Sequence, residues 1–517
     1  MSKIGFGSFQ WRMLILCGLG WLVDSMWITG MALGLPRARE HFNVPDSSIG
    51  LLSSSFYTGM MLGSMGWGLV ADRKGRKLAF NGTLSLTILG GIALALSPNF
   101  PLACVAGGLV GFGIGGSLPV DGAFLAEFIP DSSRGIVTFL GIFFSIGDVL
   151  SGLIALFILS PFTCPTPLPI ESNNGPSPSI DLPGLGKVPE EGEPANDSLR
   201  GANVCDPTQM HGWRYFVGAL TMVTALMLMG RVLLFRLRES PGFLLSRGHR
   251  EAAIDVLYAM AHVNGVAGRV DKEIELLESP SHSLPPKAPA GASWAHRLRV
   301  AVFPARVCHG LFGRTRTALT VIIVWLMWFV GMYGTVTYAS FLPTLLERRG
   351  FDGGVRPSKE ETYKDVMIYA ACGLPGSFLS YYLISLSRIG RRGTFTILAW
   401  GASAALLTFS MLRSHMGAIM CIGLTNLLAT AIIATNGVYV TEVFGIDVRA
   451  TAAGIASACG RIGGMIAPFI SGLLLTHALA FPIWMASVAF LLVGIFALLL
   501  PIETCPTSPF YRSPSRR

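Results

Sequence analysis

Long apolar runs, each long enough to cross a bilayer as a helix, alternate with short polar breaks along most of the chain. A spanning helix needs about 20 predominantly apolar residues. Twelve segments reach that length: 12–35, 50–71, 78–97, 101–127, 136–160, 213–235, 317–346, 364–387, 393–412, 416–442, 451–475 and 479–501. All are rich in Gly and Ala, which lets helices approach closely. None shows the in/out alternation of an outer-membrane barrel strand. The pattern predicts an all-α membrane protein with twelve transmembrane helices. Two polar stretches break the rhythm. Residues 161–212 are rich in Pro, Gly and Ser and read as a loop. Within 236–316, the piece Ser246–Asn264 carries Ala253, Val256, Leu257 and Met260 at helical spacing and predicts a surface helix. The Pro-rich piece Ser279–Ala292 reads as a linker, and Arg297–Arg316 as a basic run that suits either anionic headgroups or plain cytoplasmic placement.

Composition agrees with the pattern. Of the 517 residues, 51% are hydrophobic and only 13% charged, against roughly 25% charged in soluble domains. The net charge of +9 needs no nucleic-acid partner, because Lys and Arg gather in cytoplasmic loops. Placing the N-terminus inside puts 26 of the 39 basic residues on the inner side and 10 on the outer, with Arg214, Arg231 and Arg461 inside helices. Both termini are therefore expected in the cytoplasm, although the outer loop 347–363, with Arg348, Arg349, Arg356 and Lys359, fits poorly. The choice between plasma membrane and an internal membrane stays open. The first apolar run starts near Met13, is interrupted by Asp24 and precedes no Ala-x-Ala-like site, so it reads as a span and not a cleaved signal. In the outer loop, Asn196-Asp197-Ser198 is a glycosylation acceptor pattern, and Cys164 and Cys205 are a candidate disulfide. The nine cysteines form no Cys-x-x-Cys pair, so no metal and no cofactor is expected.

The chain repeats itself. Gly75-Arg76-Lys77 after the second span returns as Gly390-Arg391-Arg392 after the eighth, at an offset of 315. Glu127-x-x-Pro130-x-x-x-Arg134-Gly135 returns as Glu442-x-x-Gly445-x-x-x-Arg449-Ala450 at the same offset. Two motifs in one register predict two six-helix halves of equal orientation: 1–235, then a cytoplasmic linker 236–316, then 317–501, with a tail 502–517.

These motifs resemble the major facilitator superfamily. Gly68-x-x-x-Asp72-Arg73-x-Gly75-Arg76-Lys77 is similar to its signature loop, and Arg388-x-Gly390-Arg391-Arg392 is a degenerate second copy with Ser387 where Asp72 would stand. Glu239-Ser240-Pro241 and Pro501-Ile502-Glu503-Thr504 resemble the motifs that follow the sixth and twelfth helices in the sugar and organic-ion branches. Gly20-Trp21-Leu22-Val23-Asp24, Leu118-Pro119-Val120-Asp121-Gly122 and Gly460-Arg461-Ile462-Gly463-Gly464 resemble the SVOP-like branch, relatives of synaptic-vesicle transporters. Sugar porters fit less well: Gly107 stands where they carry Arg, and the seventh helix reads Gly331-Met332-Tyr333-Gly334-Thr335. The resemblance implies a transporter in which helices one, four, seven and ten line a central cavity. It also implies that Asp72 meets the start of the eleventh helix near Thr451, as a latch.

Ionisable groups inside a membrane cost about 2.5–3.5 kcal/mol each on insertion scales and are functional candidates by default. Asp24 and Asp121 are candidate proton-coupling acids, Asp24 first; the alternative for each is a structural bond. Arg461, ten residues into its helix, is a candidate partner of Asp148 or a counterion for substrate. Arg231, near a helix end, is expected to snorkel to the interface. Tyr333 and Asn436 are candidate substrate ligands. Asn426, Tyr338, Trp325 and Trp328 share their helices. Glu127 with Arg134 and Glu442 with Arg449 are candidate gate pairs. Gly111, Gly113, Gly115 and Gly116 read as helix-packing positions. No Walker nucleotide motif and no nucleophile–base constellation is present, so neither ATP hydrolysis nor enzymatic activity is expected. The reading is a monomeric secondary transporter in the lipid bilayer that moves a small solute, with protons as the candidate coupling ion. A facilitative uniporter and a non-transporting solute receptor are the alternatives.

Overall fold

The computed structural model describes residues 4–45, 48–130, 139–161, 211–233, 239–246, 248–266, 268, 312–313, 315–348, 358–386, 388–443, 446–475, 478 and 480–503. Asn196, Cys164, Cys205, Arg134, Ser387, the Pro-rich linker and the tail lie outside the described residues, as do the side chains of Asp72, Arg73, Glu442, Arg449 and Thr451.

Every regular element along the described residues is a helix. In order they are α1 Ser8–Phe42, α2 Gly50–Lys74, α3 Arg76–Ala95, α4 Phe100–Gly115, α5 Ser117–Phe128, α6 Leu140–Ile158, α7 Gly212–Leu233, α8 Pro241–Ser246, α9 Arg250–Val263, α10 Thr315–Arg348, α11 Lys359–Cys372, α12 Gly376–Ser385, α13 Gly390–Met411, α14 His415–Val443, α15 Ile446–Leu474 and α16 Phe481–Leu499. The fourth span is the α4–α5 pair and the eighth is α11–α12, each broken at a Gly-bearing step. Eleven spans are long and apolar enough to cross a membrane. The remaining one, α2, carries Ser53, Ser54, Ser55, Thr58 and Ser64, which lower its hydropathy, yet its 25 residues exceed a bilayer's thickness.

The two halves meet by symmetry. Helix α2 packs on α15, α6 packs on α11, and α1 packs on α10. A shift of one repeat converts α2 into the eighth span and α6 into the eleventh, so the first two contacts exchange and the third lies on the axis. This is the two-fold arrangement the 315-residue repeat predicts.

Glycines set the spacing inside each half. A Cβ at Gly59, Gly63, Gly111 or Gly115 would strike backbone carbonyls of the facing helix in the α2–α4 pair. Gly113 is pressed against Thr87 and Gly116 against Trp67. The packing role read for the fourth-span glycines is the one they fill. The expected surface helix is α9. It buries Ala253, Val256, Leu257 and Met260 in one apolar cluster with Leu14, Phe124 and Phe128 of the first half. Asn264 at its end accepts from the Phe9 N–H at 3.0 Å and donates to Gln10 Oε1 at 2.9 Å.

Candidate functional site

Three acids, Asp24, Asp121 and Asp148, and two arginines, Arg231 and Arg461, lie within the helices of the bundle. Asp121 on α5 and Arg231 on α7 are fully buried and ion-paired at 2.8 Å. The same guanidinium donates to the Phe80 carbonyl at 3.0 Å and lies 3.7 Å above the Phe80 ring. It fits because the neighbouring position on α1 is Gly20, where a Cβ would overlap both partners. The expectation that Arg231 snorkels is therefore wrong: an acid 110 residues away holds it inside. For Asp121, the structural bond is what the geometry displays.

Asp24 is different. It is fully buried on α1, and neither carboxylate oxygen accepts a hydrogen bond from the described residues. Ser117 lies beside it, and the charges of Asp121, Arg461 and Arg231 act on it. Arg461 comes from α15 in the other half. Its Nη1 donates across the seam to the Met60 carbonyl of α2 at 3.1 Å. Asp148 is not its partner. On α6, Asp148 instead accepts through Oδ1 from the hydroxyls of Ser25 and Thr29, the latter at 2.5 Å.

Of the candidate ligands, Asn436 lines a small cavity with Trp328, Met332, Thr335 and Ile432. Tyr333 is buried, and its hydroxyl has no hydrogen-bond partner among the described residues. Among the described residues the Trp325 and Trp328 indole N–H groups have no hydrogen-bond partner, and the Tyr338 side chain faces that of Tyr369. Asn426 donates to the Tyr369 carbonyl at 2.9 Å and so ties α14 to α11. Unpartnered polar atoms are rare in native interiors. Asp24 and Ser117 lie together at the α1–α5 contact, and Tyr333 and Tyr338 follow one another on α10.

Two acids anchor the repeated loop motif. At the start of α3, Glu239 accepts from the Arg76 N–H at 2.7 Å and the Lys77 N–H at 3.2 Å. At the start of α13, Glu503 accepts from the Arg391 N–H at 2.9 Å and the Arg392 N–H at 3.1 Å. Carboxylates are favoured at helix N-termini by free N–H groups and the dipole. Gly75 and Gly390 precede these donors with φ of 106° and 66°, and a Cβ on Gly390 would come within 2.9 Å of Glu503. Arg76 pairs with Glu127 at 3.3 Å. Arg391 also donates to the Ile384 carbonyl at 3.0 Å, Arg392 donates to the Leu498 carbonyl, and Arg388 is exposed. A Cβ on Gly68 would meet open space.

On the opposite face lies a contact that sequence reasoning missed. Arg37, near the end of α1, pairs with Glu347 at the end of α10. Its Nε donates to the Tyr363 hydroxyl of α11 at 3.2 Å, and its Nη1 pairs with Glu40 at 2.7 Å. Gly50 of α2 abuts the Pro468 carbonyl of α15 nearby. No signal in the sequence joins residues 310 positions apart outside the repeat register.

Two pseudo-symmetric six-helix halves with charged residues at their seam define a membrane transporter of the major facilitator fold. Residues 200–510 match the family described as sugar (and other) transporter, and residues 16–168 match the major facilitator superfamily. The chain belongs to this family. It is 30% identical to the MFS siderochrome iron transporter 1 of Ceriporiopsis subvermispora, over 97% of this chain and 89% of that one. It is 26% identical to the synaptic vesicle 2-related protein of Rattus norvegicus, over 98% of this chain and 80% of that one. In structure it is similar to the E. coli xylose transporter XylE in a partially occluded inward-open conformation. The TM-score is 0.67 at 18% identity, covering 96% of this chain and 99% of that one.

Proposed function

We propose that the protein is a proton-coupled secondary transporter that moves a small solute by alternating access, with the two halves rocking about a central site. Asp24 carries this reading. It is a buried acid with the Ser117 hydroxyl beside it and no cation in ion-pair contact among the described residues, and it feels the charge of an arginine of the other half. When ionised, Asp24 attracts Arg461 and draws α1 toward α15. When protonated, it releases that attraction, so proton binding and the relation of the halves are linked. Arg37, Glu347 and Tyr363 close one face, the one away from the termini. The positive bias of the loops supports placing the termini in the cytoplasm, which makes the Arg37 face the outer gate. Asp72 and Arg73, with Glu127, Arg134, Glu442 and Arg449, are proposed to serve the inner gate, and the helix-start acids Glu239 and Glu503 to anchor it.

Purified protein in proteoliposomes, offered a solute panel with and without a proton gradient, tests the reading. The wild type should accumulate its solute only with the gradient and acidify the lumen as it does so. Asp24→Asn should lose gradient-driven accumulation and retain solute exchange at equilibrium. Accumulation that survives unchanged in Asp24→Asn would sink proton coupling through this residue. Equilibration without proton movement would favour a uniporter, and binding without flux a receptor.

A further inference from the structure

Charge balance at the centre of the bundle leaves one acid over. Asp121 is matched by Arg231, and Asp24 feels Arg461 across the seam. Asp148 has no cation within ion-pair distance among the described residues. Both hydroxyls that reach it, from Ser25 and Thr29, donate to the same oxygen, Oδ1. The two donors sit one turn apart on α1, so they come from one side. They fix the carboxylate and leave Oδ2 without a hydrogen bond. By surface area the residue is half-buried, unlike the fully buried Asp24 and Asp121.

Three tyrosines lie within electrostatic reach of this carboxylate: Tyr57 on α2, Tyr338 on α10 and Tyr369 on α11. The Tyr338 and Tyr369 rings meet edge to face with centroids 6.1 Å apart. Tyr57 comes from the first half and the other two from the second. An unpaired carboxylate beside aromatic side chains suits an organic cation, whose charge the acid meets and whose bulk the ring faces attract. An anion would meet an unbalanced negative charge. A neutral polyol would leave the acid without a counter-charge in a low-dielectric site.

We propose that Asp148, oriented by Ser25 and Thr29 and with Tyr57, Tyr338 and Tyr369 within electrostatic reach, binds the ammonium or guanidinium group of a cationic organic solute. This names the solute class for the transporter reading and rests on it. Because the site draws on both halves, a bound cation would couple directly to their rocking.

The test uses the full-length protein in detergent and in proteoliposomes. Choline, tetraethylammonium and agmatine are compared with 3,3-dimethylbutan-1-ol (the neutral isostere of choline), xylose, benzoate and Na⁺. At least one organic cation should bind the wild type at least 30-fold more tightly than the neutral and anionic compounds. Asp148→Asn should lose that preference at least 30-fold, and Asp148→Glu should keep at least a tenth of the affinity. Discrimination between choline and its isostere is read on the wild type, so a misfolded variant does not block the test. The proposal is overturned if no organic cation binds, if only Na⁺ does, or if cation affinity survives in a folded Asp148→Asn. Transport of a neutral or anionic solute untouched by Asp148→Asn would overturn it while leaving the transporter reading intact. Cation binding without flux of any solute would do the reverse.

Discussion

Glu347→Ala should release the latch on the face away from the termini. The Arg37 side chain is 5% exposed and that of Glu347 16%, so water screens this pair little. A hydrogen bond to a charged group contributes about 1.5–3 kcal/mol. Stripping a buried charge of all its partners costs about 3–5 kcal/mol, but Arg37 keeps Glu40 at 2.7 Å and Tyr363 at 3.2 Å. The loss should therefore fall near 2–3 kcal/mol, and at 1.4 kcal/mol per factor of ten this is a roughly 30- to 150-fold shift toward states with this face open. Glu40 supplies the control. Its pair with Arg37 lies within α1, so Glu40→Gln removes no Arg37 bond between the halves and should shift the balance less. Spin labels at Leu96→Cys on the first half and Met411→Cys on the second, both highly exposed helix-end positions, would report the separation of this face by double electron–electron resonance. Native thiols would be replaced beforehand. A distance distribution for Glu347→Ala that matches its parent, or a Glu40→Gln shift equal to it, would refute the reasoning.

Other outcomes follow from the packing. Arg231→Met should lower thermal stability by the equivalent of about 3–5 kcal/mol, because Asp121 is left buried without its cation. Adding Asp121→Asn should restore most of it, and melting curves of the four forms would expose a purely additive result as a contradiction. Gly63→Leu should cripple folding, since its side chain would enter the Phe112 backbone of α4, whereas Gly68→Ala meets open space and should melt like the parent. Fluorescence-detected size exclusion after heating separates the two. Glu239→Gln and Glu503→Gln should each weaken a helix start by about 0.5–2 kcal/mol. Hydrogen exchange should then quicken at residues 76–80 or 391–395, and unchanged protection would contradict the capping role.

Hydropathy made the spans legible because crossing a bilayer imposes both a length and a composition on each helix. The repeat made the symmetry legible, and α2–α15 and α6–α11 meet as it requires. Pairing across distance was not legible. Arg231 sits near the end of its span, and hydropathy reads any such cation as interfacial. Its true partner Asp121 lies on another helix, and Gly20 on a third makes the room. Arg461 and Asp148 stand near repeat-related positions, which suggested a bond. Helix rotation turns Asp148 toward Ser25 and Thr29 and Arg461 toward Met60 instead. One-dimensional spacing carries the position of a charge along its helix and not the azimuth, so its neighbours were not readable.

The two helix-start acids have a consequence for assembly. Each is carried by the stretch just after the last helix of its half, and each reaches back to the third. A half is thereby closed on itself, tail fastened to middle, by contacts that need nothing from its counterpart. Folding can then proceed as two self-contained modules that dock afterwards, and the covalent tether between Val266 and Thr315 becomes dispensable. Two separately synthesised polypeptides, one ending after α9 and one beginning before α10, should find each other in the membrane and restore an intact carrier.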